Sequence, residues 1–158
     1  VRYPRGYGPG ADIDEELTPI EIGKSRTMLQ GKQIAILAFG SMVSPAITVG
    51  KAINATVIDM RFVKPLDKEV IERLAASHEL LVTREENVIN GGAGSAVNEY
   101  LSSTPNVCQI LHLGLPDSFI EHGDTSLLLA ECGLDTAGIQ KAILNVLPVP
   151  LARSAESA

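Results

Sequence analysis

ELLVTREENVINGGAGSAVNEY, Glu79 to Tyr100, is the stretch that decides the fold. Leu80, Leu81, Val82 and Thr83 make an apolar run of the length of a buried strand. Arg84, Glu85 and Glu86 follow, then a turn holding Gly91, Gly92 and Gly94, then the helical pattern of Ala96, Val97, Tyr100 and Leu101. A strand that ends in charged groups and passes through glycines into a helix is the layout of an α/β crossover. In such folds ligands or partners are met at the carboxyl ends of the strands.

Upstream, Gln33 to Phe39 is the strongest strand pattern, and Ile20 to Leu29 suits a first, exposed strand. Ser44 as N-cap and Pro45 as first helical residue predict a helix running through Val49 and Ile53 to Asn54. Ala55 to Met60 reads as the next strand. Asp67 then caps a helix whose buried face is Val70, Ile71 and Leu74, with Leu66 stapled on Ile71, up to His78. Downstream, a strand is expected over 107–113, before a turn at 114–117. Asp124 caps a short helix ending at Gly133, and Asp135 caps another. In that one Ile139, Ala142, Ile143, Val146 and Leu147 form a single apolar stripe, which Pro148 stops. The expected fold is α/β, with about five strands in a mostly parallel sheet, one antiparallel edge strand, and helices on both faces.

The 158 residues suffice for one domain with a real core, and 45% apolar with 20% charged residues describe an ordinary globule. A formal charge of −6 argues against a nucleic-acid surface, and no apolar run approaches a membrane span. Cys108 and Cys132 fit neither a disulfide framework nor zinc spacing, as expected of a reducing compartment. The start at Val1, without Met, predicts a piece of a longer polypeptide. Residues 1–19, rich in Gly, Pro and acids, read as a linker or extended arm, and 149–158 as a loose tail.

The candidate chemistry is sparse. Gly92-Ala93-Gly94-Ser95-Ala96-Val97 puts Val where a dinucleotide fingerprint needs its third small residue. The glycines therefore read as a tight turn with close helix packing, leaving a phosphate at the helix N-terminus as the weaker reading. Glu85 and Glu86 are neighbours on an extended segment and point opposite ways, so they suit a solvated strand end or partner contacts rather than an acid/base pair. His78, His112 and His122 have no metal spacing, Ser41 and Ser95 sit in no nucleophile elbow, and Cys108 packs as a small hydrophobe. Arg2 and Arg5 flank Pro4 and could hold an anion, but on residue physics alone they read as solvated arginines at a chain end.

Several segments together carry a resemblance. RYPRG at 2–6, PIEIGKSR at 19–26, IAILAFGS at 34–41 and ATVIDMRFVKPLD at 55–67 resemble the carboxyl-terminal end of the 1-deoxy-D-xylulose-5-phosphate synthase family. So do LVTREENVINGGAGSAVNEYL at 81–101, LGLPDSFIEHG at 113–123 and AECGLDTAGI at 130–139, so that the match runs to about residue 147. Arg84 and Asn90 depart from the residues common there. That family is transketolase-like and thiamine-diphosphate-dependent. It condenses pyruvate with D-glyceraldehyde 3-phosphate, releasing carbon dioxide, on the route to isoprenoids, thiamine and pyridoxal phosphate.

The resemblance implies a transketolase C-terminal-like domain over 20–148, preceded by the end of another domain and a linker over 1–19. It implies that thiamine diphosphate and Mg2+ are held by domains outside this sequence, and that the enzyme is a cytoplasmic or plastid homodimer. One site residue carries over, Arg5, which would bind the sugar phosphate; Arg2 is a weaker candidate. No catalytic, cofactor-binding or metal residue carries over. Two other classes compete. One is a partner-docking domain, as in the β subunit of related 2-oxo acid dehydrogenases. The other is a regulatory nucleotide-binding domain, disfavoured by the incomplete glycine fingerprint.

Overall fold

A computed structural model describes residues 10, 18–105 and 108–147. Its strands are β1 (Arg26–Leu29), β2 (Ile34–Ala38), β3 (Thr56–Asp59), β4 (Leu80–Val88) and β5 (Gln109–Leu115). The helices are α1 (Val43–Ile53), α2 (Lys68–Ser77), α3 (Ala93–Ser102), α4 (Thr125–Glu131) and α5 (Thr136–Val146). One sheet results, ordered β1-β3-β2-β4-β5, with β1 antiparallel to β3 and every other pairing parallel. The expected mixed sheet with an antiparallel edge is what the chain forms.

Alternation along β2 and β4 divides the core between two layers. Ala35, Leu37, Phe39 and Leu81 pack with Ile71 and Leu74 of α2 and Val97 and Leu101 of α3. Ile34, Ile36, Ala38, Leu80 and Val82 pack with Ala46 and Val49 of α1 and Ile139 and Ile143 of α5. Both faces of the sheet are covered, which is why β2 and the start of β4 read as continuous apolar runs.

Local signals were legible where side chains cap helices. Asp67 is buried and accepts from Val70 N–H, and its Oδ2 also takes the Ser25 N–H at 2.8 Å and the Ser25 hydroxyl at 2.9 Å. Burial works to raise this carboxyl, but the bonds from Ser25 and Val70 outweigh it and hold it below the usual carboxylate range. Asp124 accepts from the Ser126 and Leu127 N–H groups, and Asp135 from Gly138 N–H at 2.8 Å.

Several boundaries differ from expectation. The first strand begins at Arg26, not Ile20, because Gly23 at φ 77° turns the chain and leaves Ile20 and Ile22 exposed. Ser44 is not the N-cap of α1. A 3-10 turn over Gly40–Met42 starts the helix earlier, putting Pro45 at the third helical position, where its missing N–H is still harmless. The strand expected over 107–113 is found at 109–115, so Gly114 and Leu115 belong to it rather than to a turn. Val107 and Pro148 lie outside the described residues, as do 149–158.

His78 and His112 are structural. His78 closes α2 and meets Thr56 Oγ1 through Nε2 at 2.9 Å, and His112 Nδ1 meets Thr83 Oγ1 at 2.7 Å. Burial holds both imidazoles below their ordinary pKa, against smaller opposing effects of the Leu74 backbone on His78 and of Glu85 on His112. As pH falls through about 6.5 the unfolded chain takes up protons that the folded one resists, so stability is lost on acidification. The urea midpoint is expected to fall between pH 7.5 and 5.5, and His78→Gln with His112→Gln to flatten that slope. An equally steep slope in the double variant would contradict the assignment.

Candidate functional site

The chain leaves β2 towards β3 on one side and returns across it to β4 on the other, so the strand order reverses between β2 and β4. A crevice outside the carboxyl ends of the strands at such a point is the ordinary ligand position of open α/β sheets. A cleft of about 660 Å³ lies there, lined by Phe39 to Ser41 after β2, Val63, Glu85 to Asn87 of β4 and Gly91 to Ala93.

The three charged residues of β4 determine what this cleft can do. They alternate across the strand, but the solvated strand end expected of Glu85 and Glu86 holds for Glu86 and is wrong for Glu85. Arg84 is fully buried, and Glu85 is 4% exposed. Glu85 turns to the α3 side, where Oε2 accepts from Ala93 N–H and Oε1 from Gly94 N–H, each at 2.8 Å. Gly92, the N-cap of α3, has no side chain with which to cap. The carboxylate seven residues earlier takes that place, with the helix dipole in its favour.

The glycines make that approach possible. A Cβ on Gly92 would lie 2.3 Å from Glu85 Oε2, and one on Gly94 would lie 2.5 Å from Thr83 Oγ1 and 2.7 Å from His112 Nδ1. The turn-and-packing reading of the glycines is therefore right in detail. The phosphate reading is corrected: the N–H groups a phosphate would use are already taken by Glu85. Ser95 is also internal, donating to Ile89 C=O at 2.8 Å and accepting from Gly91 N–H at 3.0 Å.

Arg84 points the other way. It donates to Met42 C=O at 3.1 Å and to Leu134 C=O, tying the 3-10 turn after β2 to the link between α4 and α5. Its Nε has no partner. Burial lowers the guanidinium to about 10, against the opposing pull of Asp135 and Glu86, so it stays charged at neutral pH. Glu86, on the same face, is exposed and accepts from the Ser41 hydroxyl at 2.5 Å. Cys108 packs at the edge of the core with its thiol on His78 C=O, and burial raises its pKa, away from reactivity.

Among the described residues the cleft thus presents two carboxylates and no Lys, Arg or His in its lining. That donor set does not suit a diphosphate or a nucleotide phosphate, and the regulatory-nucleotide reading loses its physical basis. Among the described residues no group of three or more His, Cys, Asp or Glu side chains is placed to hold a metal ion. Arg5 and Arg2 lie outside the described residues. Sequence reasoning missed the roles of Arg84 and Glu85. The available signal was an acid shortly before Gly-Gly-x-Gly, where the following helix lacks any Ser, Thr, Asp or Asn cap.

A doubly wound sheet with an antiparallel edge, in which a glutamate at the switch-point cleft caps the following helix, is an α/β domain without a catalytic constellation among the described residues. The chain belongs to the transketolase C-terminal domain family, whose model matches residues 23–139. It is 59% identical over 143 residues to the 1-deoxy-D-xylulose-5-phosphate synthases of Chromobacterium violaceum and Nitrosomonas europaea, and 56% identical to that of Pseudomonas fluorescens. Each match covers 90% of this chain, and the chain spans 23% of the length of these relatives. Among solved structures, a split-gene transketolase, described as an inactive beta4 tetramer, matches with TM-score 0.72 and 32% identity, over 81% of this chain and 42% of that one. Campylobacter jejuni transketolase shares the fold at TM-score 0.56 and 17% identity, over 84% of this chain and 20% of that one.

Proposed function

We propose that this chain is the carboxyl-terminal domain of a 1-deoxy-D-xylulose-5-phosphate synthase. The observation that carries the reading is 59% identity over 143 residues to synthases of that name. The whole enzyme joins pyruvate to D-glyceraldehyde 3-phosphate with loss of carbon dioxide. Thiamine diphosphate with Mg2+ supplies its acyl-carrier chemistry, and the domains that precede this one hold them. The acidic lining of the cleft supports that division of labour. Within the chain, 20–148 is the domain, 1–19 leads in from its predecessor, and 149–158 is a tail. The assembled enzyme is a cytoplasmic or plastid homodimer. The relatives' names favour this reading over a dehydrogenase docking domain.

The test is a chimera in which this chain replaces the matching part of the Chromobacterium violaceum synthase. Formation of 1-deoxy-D-xylulose 5-phosphate within about tenfold of the parent's kcat is the expected result. A folded chimera without activity would overturn the reading.

Arg5 is the one residue we place in contact with substrate, on its position in RYPRG at 2–6. In the chimera, Arg5→Ala is expected to raise KM for glyceraldehyde 3-phosphate, losing about 2–3 kcal/mol of a charge-assisted contact. KM for pyruvate should stay put. Unchanged kinetics would remove Arg5 from the site.

A further inference from the structure

The two edges of the sheet are finished differently. At one edge β1 has four residues, its register against β3 shifts between Thr27 and Leu29, and it exposes Arg26 and Thr27. Shortness, irregularity and charge are the usual devices that keep an edge strand from pairing with another chain. At the other edge β5 has seven residues, QILHLGL, with no Lys, Arg, Asp, Glu or Pro among them. None of them is buried, although Ile110 and Leu111 stand opposite Leu81 and Val82, which are. Helices α3 and α5 pack on the faces of β5, and β4 lies on its inner edge. Among the described residues no main-chain group pairs with the outer edge.

The ladder shows which groups are left over. Leu115 C=O accepts from Ile89 N–H on the β4 side. A residue's own N–H and C=O point to one side of a strand, and those of its neighbours to the other. Leu111 and Leu113 therefore turn their main-chain groups to β4, and Ile110, His112 and Gly114 turn theirs outward. Pro116, next in that series, has no N–H and ends the edge. The outward groups are centred on His112, so the edge is complementary to itself about a twofold axis there. We propose that the outer edge of β5 pairs antiparallel with β5 of a second copy of this chain, joining two sheets into one. Ile110 then exchanges both hydrogen bonds with the partner's Gly114, and His112 with its own counterpart. On the α5 face Leu111 meets the partner's Leu113, which completes the burial of two half-buried leucines. No carboxylate, ammonium or guanidinium on β5 opposes its copy, in a chain whose formal charge is −6. Tyr100 reaches Glu72 of α2, so the side of α3 turned to this edge carries Asn98 and Ser102, uncharged and exposed. The pairing also closes. It uses both β5 edges and leaves only the blunted β1 edges, which gives a dimer rather than a fibre. It stands on the strand itself and is independent of the synthase reading.

Sedimentation equilibrium and hydrogen exchange on the 158-residue chain test this together. At about 500 µM the mass is expected to be twice the 16.8 kDa of one chain, falling to that of one chain on dilution towards about 1 µM. Over the same dilution the amides of Ile110, His112 and Gly114 should come to exchange at least tenfold faster. Those of Leu111 and Leu113, bonded to β4 throughout, should stay the same. Strand pairing produces that alternation, and contact through a helix face does not. Ile110→Pro removes one outward N–H and no bond to β4, and is expected to be a monomer at about 500 µM. Unaltered slow exchange in β2 and β4 shows that this variant is folded. Asn98→Glu with Ser102→Glu, at exposed positions outside the sheet, should weaken the dimer at least tenfold with the fold unchanged. A monomer at every concentration overturns the inference, as does a dimer in which those outward amides ignore dilution or in which both variants still associate. Protection of the same amides in the monomer would mean that the edge is covered within one chain, and overturns it too.

Discussion

Glu85→Ala is expected to destabilise the chain by about 3–5 kcal/mol, measured as a fall in urea midpoint at constant m. The residue is 4% exposed and its two oxygens each take one N–H at the start of α3. Truncation removes two hydrogen bonds to a charged acceptor, each contributing about 1.5–3 kcal/mol, and leaves both donors buried beside Gly92. Glu85→Gln should cost less, because its amide oxygen can still accept one N–H, but its NH2 then faces the other donor. Equal costs for Ala and Gln would mean that the doubly accepting carboxylate carries the whole effect and packing none, whereas a Gln variant as stable as the parent would mean that packing, not capping, dominates. A loss below about 1 kcal/mol for Ala would contradict the account of how α3 begins.

Arg84→Ala is the second large effect, also at about 3–5 kcal/mol. The guanidinium is fully buried and joins Met42 and Leu134, residues 50 positions or fewer from it on either side. Its loss frees two carbonyls and opens a cavity where the α4–α5 link meets the 3-10 turn. Arg84→Met separates the two parts, filling the space while still leaving the carbonyls unpaired, and is expected to recover about half of the loss. Because no carboxylate bonds to Arg84 directly, its effect should be nearly independent of salt. A strong salt dependence would point to an ion pair with Glu86 or Asp135 in its place.

These two residues also mark where sequence reading gave out. The apolar half of β4 was plain, since Leu80 to Thr83 has the length and composition of a buried strand and is one. The caps at Asp67, Asp124 and Asp135 were plain too, because a cap is a local bond spanning two or three residues. Glu85 caps across a turn, and Arg84 bonds to carbonyls 42 and 50 residues away. Charge is usually a surface signal, and neither long-range partner can be seen in a window of local sequence. The same locality explains the misplaced start of α1: Ser44-Pro45 is a good signal, but the 3-10 turn held by Arg84 begins the helix first. The substrate contact proposed for Arg5 was legible by resemblance alone.

As proposed above, this chain serves a thiamine-dependent synthase without itself holding the cofactor. Calorimetric titration of thiamine diphosphate with Mg2+ into the 158-residue chain and, in parallel, into the chimera tests it most directly. Saturable binding to the chimera with no heat from the chain is the predicted result. Saturable, Mg2+-dependent binding to the chain alone would contradict it, and would mean that a diphosphate site exists within these residues after all.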